Sequence, residues 1–221
     1  MQTISFLTSD GVTIVGNLWQ TKSTASQKPA VLLLHMMPAK KESWDAFARQ
    51  LHELDHTVLA IDLRGHGEST KGAAGSLNYH NFDDADHKGY LLDAEAALEF
   101  LKSHTEAKSF IIIGASIGAN TAINIGTEKR GVRGVVALSP GLNYRGIATE
   151  DSVRTWPKDR ELLLLASKED QYAAASVAAL ALIPNVSACL LDNAGHGTDM
   201  LENASVCKTQ LMDWIQKIPP V

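Results

Sequence analysis

The stretch Ser109–Gly118, Ser-Phe-Ile-Ile-Ile-Gly-Ala-Ser-Ile-Gly, constrains this chain more than any other. Aromatic and β-branched residues, which suit a pleated and buried surface, run directly into Gly114-Ala-Ser116-Ile-Gly118. A helix-compatible segment follows and extends to about Glu128. The pattern predicts a strand, a tight turn with a serine at its apex, and a helix. Such a turn strains the serine backbone and needs small residues two positions before and after it, which Gly114 and Gly118 supply. A hydroxyl held above the end of a strand is thereby available as a nucleophile. The pentapeptide alone is common; the strand before it and the helix after it give it meaning.

The remaining chain supplies a sheet for that strand. Thr3–Thr8 and Val12–Trp19 flank Asp10-Gly11, a hairpin signal. Gln20 to Pro29 is polar and reads as a loop. Ala30–His35, Thr57–Asp62, Val132–Leu138, Glu161–Ala166 and Val186–Leu191 are apolar runs with little alternation, as expected of strands buried on both faces. Helices are expected over Glu42–Leu54, with Ser43 or a neighbour as cap, and over Asp84–His104, Ala173–Leu182 and Thr198–Lys217. Leu142–Lys158 has weak periodicity and reads as an irregular excursion or one short helix. Pro219-Pro220 ends the chain. A hairpin followed by alternating strands and helices specifies an α/β fold. Its sheet is mainly parallel, with helices on both faces and an antiparallel N-terminal edge. No repeat or linker divides residues 1–221, which are read as one domain.

Composition excludes several function classes. A net charge of −5 without a Lys/Arg cluster argues against a nucleic-acid surface. No apolar run approaches a membrane span, and the N-terminus lacks the basic and apolar regions of a signal peptide. Cys189 and Cys207 have no metal-ligand spacing and read as reduced, buried thiols in a cytoplasmic protein. The sequence does not reveal the oligomeric state.

In a sheet of this kind ligands bind beyond the carboxyl ends of the strands. Asp170 follows one predicted strand, His196 follows the next, and His35-Met36-Met37 follows the first parallel one. A serine hydroxyl needs a base within hydrogen-bond reach, and a carboxylate fixes the tautomer of a histidine base. The order Ser116…Asp170…His196, each residue just beyond a strand, is far more specific than the pentapeptide. Glu169 adjoins Asp170 and is the alternative acid. His66 reads as a turn residue that packs its loop, and Asp62 and His35 as structural; Asp159 precedes its strand, and Asp199 belongs to the first turn of a helix.

The chain resembles an α/β-hydrolase fold protein over nearly its whole length. Trp44, Asp62-Leu-Arg-Gly-His-Gly-Glu-Ser69, the Gly114–Gly118 elbow and Gly195-His-Gly-Thr-Asp-Met200 are similar to family landmarks, and small bacterial dienelactone-hydrolase-like esterases look closest. The resemblance implies a serine hydrolase with Ser116 as nucleophile, His196 as general base and acid, and Asp170 as orienting acid. It implies oxyanion donors from the backbone N–H of Ile117 and of Met37, the latter in the loop after His35. That loop departs from the family's His-Gly, carrying His35-Met36, and Pro38 has no N–H to donate. The elbow residue is serine where dienelactone hydrolases proper carry cysteine, which favours ordinary ester chemistry.

No metal or organic cofactor is implied. Met36, Met37 and Trp156 are candidates for the pocket wall, with core filling as the alternative. About twenty residues separate the strands ending at Leu138 and beginning at Glu161, too few for a multi-helix cap. An open site for short-to-medium acyl esters is expected, with the 70–83 loop as a partial cover. A thioesterase or lysophospholipase is the alternative, and a ligand-binding protein on the same fold is the reading from another class.

Overall fold

The computed structural model describes residues 1–21, 28–184 and 186–218. Part of the Gln20–Pro29 loop and Pro219-Pro220 lie outside the described residues. β1 (Gln2–Leu7) and β2 (Thr13–Trp19) form the antiparallel hairpin around Asp10-Gly11. β3 (Ala30–Leu34), β4 (Val58–Ile61), β5 (Phe110–Ala115), β6 (Val132–Leu138), β7 (Glu161–Ser167) and β8 (Ser187–Leu191) follow. Across the sheet they lie in the order β1-β2-β4-β3-β5-β6-β7-β8. All neighbours from β4 to β8 pair in parallel, and β2 runs antiparallel to β4. Two-residue strands at Lys71–Gly72 and Gly75–Ser76 attach at the start of β2.

The unbroken apolar runs are explained by two cores. Ala30, Leu32 and Leu34 of β3 face one, and Val31 and Leu33 face the other; Ile112 and Ile111, and Leu164 and Leu165, divide in the same way. The first core is covered by α3 (Tyr90–His104), α4 (Ile117–Glu128) and α6 (Gln171–Leu180). The second is covered by α1 (Asp45–Glu53), α7 (Met200–Asn203) and α8 (Ser205–Lys217). Two shorter helices remain: α2 (Asp84–Lys88) and α5 (Glu150–Arg154). β3 to β7 have no polar side to present because both faces are under helices, whereas β8, expected to be buried on both faces, lies at the sheet edge and is largely exposed. Among the described residues no helix is long and apolar enough to cross a membrane.

Several boundaries differ from the sequence expectation for local reasons. The expected Asp84–His104 helix is divided at Gly89, where a methyl group would lie 2.5 Å from Arg64 Nη1. The Arg64 guanidinium bonds Asp93 at 2.8 Å and Asp10 at 2.6 Å, tying the hairpin turn to α3. The closing helix is divided at Ala204, which is extended (φ −126°, ψ 99°). No side chain caps α1: a 3-10 turn (Lys41–Trp44) leads into it, anchored by the Lys41 N–H donating to Asp62 Oδ1 at 2.8 Å. The 142–158 excursion holds both an element pair and a helix, namely Asn143–Tyr144 against Ile147–Ala148 and then α5. Cys207 is buried and burial pushes its thiol up to about 12, whereas Cys189 is only half-buried; both are free.

Buried histidines support the loops after β3 and β4. His35 accepts from the Leu63 N–H at Nε2 (3.0 Å), so its Nδ1 carries the proton and donates to Met36 O (2.9 Å). His66 stacks on Tyr79 with centroids 3.8 Å apart and pairs through Nε2 with the Tyr90 hydroxyl at 3.0 Å. Burial, with His35 adding to it, pushes the His66 pKa down to about 3, and burial also lowers those of His35 and His56. The unfolded chain therefore binds protons that the folded one refuses. The contribution of these histidines to stability is complete above about pH 6.5 and is lost as pH falls towards 3, while Asp93, pushed up to about 7 by burial, shifts stability in the opposite sense. At pH 5 His66 alone accounts for about 2 kcal/mol. Urea denaturation at pH 7.5 and pH 5 reads this as a difference: across that interval His66→Phe should lose about 2 kcal/mol less than wild type.

Candidate active site

The apex of the elbow is strained. Ser116 has φ 55° and ψ −119°, a conformation that costs a non-glycine residue about 1–3 kcal/mol. Its N–H donates to Leu138 O (2.8 Å), and its carbonyl accepts from the Ala119 and Asn120 N–H groups. A methyl group on Gly114 would overlap the Gly118 carbonyl. One on Gly118 would lie 2.5 Å from Leu34 O and 2.6 Å from His35 O. The start of α4 is thus pressed against the ends of β5 and β3, with Ser116 8% exposed.

His196 lies beyond β8, and its Nδ1 pairs with Asp170 Oδ2 at 2.5 Å. Asp170 also caps α6, accepting the Ala173 N–H at 3.5 Å. Glu169 points elsewhere: it accepts from the Ser167 hydroxyl (2.5 Å) and the Asn193 N–H (2.9 Å), holding the turn that leads to His196. The Ser167 hydroxyl accepts from the Ala194 N–H (2.9 Å) and the Ser139 hydroxyl from the Gly197 N–H (3.0 Å). A methyl group on Gly197 would lie 3.3 Å from Ala115 Cβ and 2.5 Å from Met36 Sδ. The histidine loop, the elbow and the loop after β3 therefore converge. Asp199 has no bond to the His196 ring; its N–H donates to the His196 carbonyl (3.1 Å).

In the loop after β3, the Met37 N–H has no hydrogen-bond partner among the described residues, and neither has the Ile117 N–H at the start of α4. Unpaired amides at this junction, one of them at a helix N-terminus, are suited to an oxyanion. Met37 Sδ accepts from the Tyr90 hydroxyl at 3.8 Å. The loop is anchored by Lys41, whose Nζ bonds Asp62 (2.8 Å), Glu68 (2.6 Å) and Glu42 (3.0 Å). Burial works against the Lys41 charge, but these carboxylate bonds outweigh it and raise its pKa.

Two expectations fail and three residues were not foreseen. Trp156 does not line the site. It packs in the first core against α4, where a methyl on Gly126 would lie 2.9 Å from its ring, and its Nε1–H donates to Arg160 O (3.0 Å). Gly126 is ten residues along the chain from Ser116, about 15 Å by helical rise. The 70–83 loop stacks Tyr79 on His66 and walls a separate cavity of about 650 Å³ with Asp10, Arg64 and Leu92; none of Ser116, Asp170 and His196 lines it. Met36 does lie at the junction. Ser139, Ser167 and Lys41 were missed. The two serines each sit at a strand end, a position that could have flagged them. Lys41 gives no signal, since surface lysines are common.

Asp62 is fully buried, so removing its partner strands a charge. Lys41→Met should cost about 3–5 kcal/mol. In a chain this size that lowers Tm by roughly 6–20 °C; a melt within 2 °C of wild type would refute the anchoring role.

Comparison with known proteins identifies the family and the fold. The family described as serine aminopeptidase, S33, matches residues 25–168, a span that includes the β3 loop and the elbow and stops short of Asp170 and His196. An abhydrolase domain-containing protein of Schizosaccharomyces pombe is 33% identical over 102 residues, 46% of this chain and 33% of that protein. An uncharacterised protein of Rickettsia prowazekii is 31% identical over 129 residues, 55% of this chain and 49% of that one. The match thus spans half or less of those curated relatives. The structure of the Pyrococcus furiosus esterase Pf2001 superposes with a TM-score of 0.78 at 20% identity, over 98% of this chain and 90% of that one, a likeness of fold alone. With well over half of its residues matched, the chain belongs to the serine aminopeptidase S33 family of α/β-hydrolases.

Proposed function

We propose that residues 1–221 form one catalytic unit, a serine esterase that hydrolyses small carboxylic esters through an acyl-serine intermediate. One observation carries this reading: the Ser116 elbow, the Asp170-paired His196 and two unpaired backbone N–H groups converge at the carboxyl ends of β3, β5, β7 and β8. Ser116 Oγ attacks the ester carbonyl while His196 Nε2 takes its proton, and Asp170 holds the Nδ1 proton and stabilises the imidazolium. The Met37 and Ile117 N–H groups receive the oxyanion, each contributing about 2.7–4 kcal/mol to the transition state. His196 then protonates the departing alkoxide. Water activated by His196 repeats the sequence and frees the acid.

The fold likeness to an esterase supports an ester over an amide. The spacing of elements supports short-to-medium acyl chains, because only the 143–148 strand pair and the five-residue α5 stand between β6 and β7. The test is p-nitrophenyl ester hydrolysis from acetate to palmitate. Short and medium esters should turn over with kcat/KM at least roughly tenfold above palmitate. Ser116→Ala should abolish turnover, by about 10³-fold or more, and Asp170→Asn should lower kcat about 10³–10⁴-fold. A fluorophosphonate should label Ser116; a pure ligand-binding protein would not react. Acyl thioesters and aminoacyl p-nitroanilides run in parallel, the latter because the family description names an aminopeptidase. Preference for either by more than about tenfold in kcat/KM would replace the ester reading.

A further inference from the structure

The two edges of the sheet are guarded differently. β1 lies at one edge, beside α3, which sets Glu95 and Glu99 along it, the latter paired with Lys102. β8 lies at the other edge and pairs only with β7. No Asp, Glu, Lys, Arg or His occurs between Asp170 and Asp192, a stretch that includes all of α6 and β8. Its exposed residues include Tyr172, Ala175, Ala178, Leu182, Ala188 and Leu190, with Leu182 86% exposed. A strand edge with neither charge nor proline in it is a template for pairing with another chain.

The hydrogen bonds of β8 fix how a second strand would sit. Successive residues of a strand turn their N–H and C=O alternately to one side and the other. The Lys168 N–H donates to Leu191 O at 2.8 Å, so Leu191, Cys189 and Ser187 bond towards β7. Ala188 and Leu190 turn theirs outward, where no strand lies. Two outward residues separated by one are self-complementary. When two such strands meet antiparallel, Ala188 faces Leu190 of the second copy and Leu190 faces Ala188 of the second copy, each pair exchanging both hydrogen bonds. The two-fold axis passes beside Cys189.

Charge suits the same arrangement. The carboxyl ends of β7 and β8 carry Glu169, Asp170 and Asp192 against Lys168, a balance of −2. The amino ends of β6 and β7 carry Arg133, Lys158 and Arg160 against Asp159 and Glu161, a balance of +1. Antiparallel pairing sets the acidic end of each copy beside the basic end of the other, and the uncharged middle brings no like charges together. We propose that this edge is the interface of a homodimer, in which β8 of two copies pairs antiparallel about Cys189. The sheet then runs on from one chain into the next, with both α6 helices on one face. The interface does not depend on the reaction assigned to Ser116.

Light scattering of the purified chain tests this. Wild type at roughly 10–100 μM should have twice the mass of one chain. Leu190→Lys, which sets two ammonium groups across the axis, should halve that mass. So should Ala188→Pro, which removes an outward N–H and no bond to β7. Leu7→Lys, at the opposite edge, should leave the mass unchanged. Each variant should keep the far-ultraviolet circular dichroism of wild type; if one β8 variant fails to fold, the other decides. The Ala188 amide should exchange with deuterium at least roughly tenfold more slowly in wild type than in Leu190→Lys. A wild type of single-chain mass across that range, or a dimer that persists in the folded β8 variants, would overturn the proposal.

Discussion

Everything at the site depends on how closely the first turn of α4 approaches the ends of β5 and β3. Gly114 lies against the Gly118 carbonyl, and Gly118 lies against the carbonyls of Leu34 and His35. A β-carbon at either position would separate the layers. Because the approach is backbone to backbone, the amide beside Ser116 and the amide of Met37 are held in one neighbourhood by main chain alone. The strained Ser116 conformation is maintained by three backbone hydrogen bonds and by two cores that fix the strand and the helix it joins.

A second tier of polar contacts turns loops into fixed supports. Ser139, Ser167 and Glu169 each receive a backbone N–H from the segment carrying His196. Lys41 and Asp62 tie the loop after β3 to the loop after β4. Asn120 and Tyr172 pin the 143–148 strand pair on both sides. Each contact satisfies a backbone group that would otherwise be costly to bury, while fixing the direction of a reactive side chain.

The sheet and the order of its elements were legible because their signal is local. Runs such as Ala30–Leu34 have no polar side, and each is bounded by Gly, Pro or polar residues. The Ser116, Asp170 and His196 positions were legible because each directly follows such a run. The choice between Asp170 and Glu169 was a choice between directions: β7 ends at Ser167, and the turn sends Glu169 back to Ser167 and Asn193 and Asp170 forward to His196. Trp156 misled because an aromatic residue in a weakly patterned segment carries no direction. The gap beside Gly126 and the Arg160 carbonyl drew it into the core.

By itself the sequence determined the parallel sheet, the glycines that permit the elbow, and the chain order of the residues at the strand ends. These depend on hydrophobic period and residue size, which act over a few positions. Only the tertiary structure decided that Lys41 is the buried counter-ion of Asp62, that the 70–83 loop packs on His66, and that Tyr172 clasps the strand pair at Asn143. Those contacts join residues 21, 13 and 29 positions apart through the packing of separate segments, and no periodicity in a chain encodes where two such segments will meet.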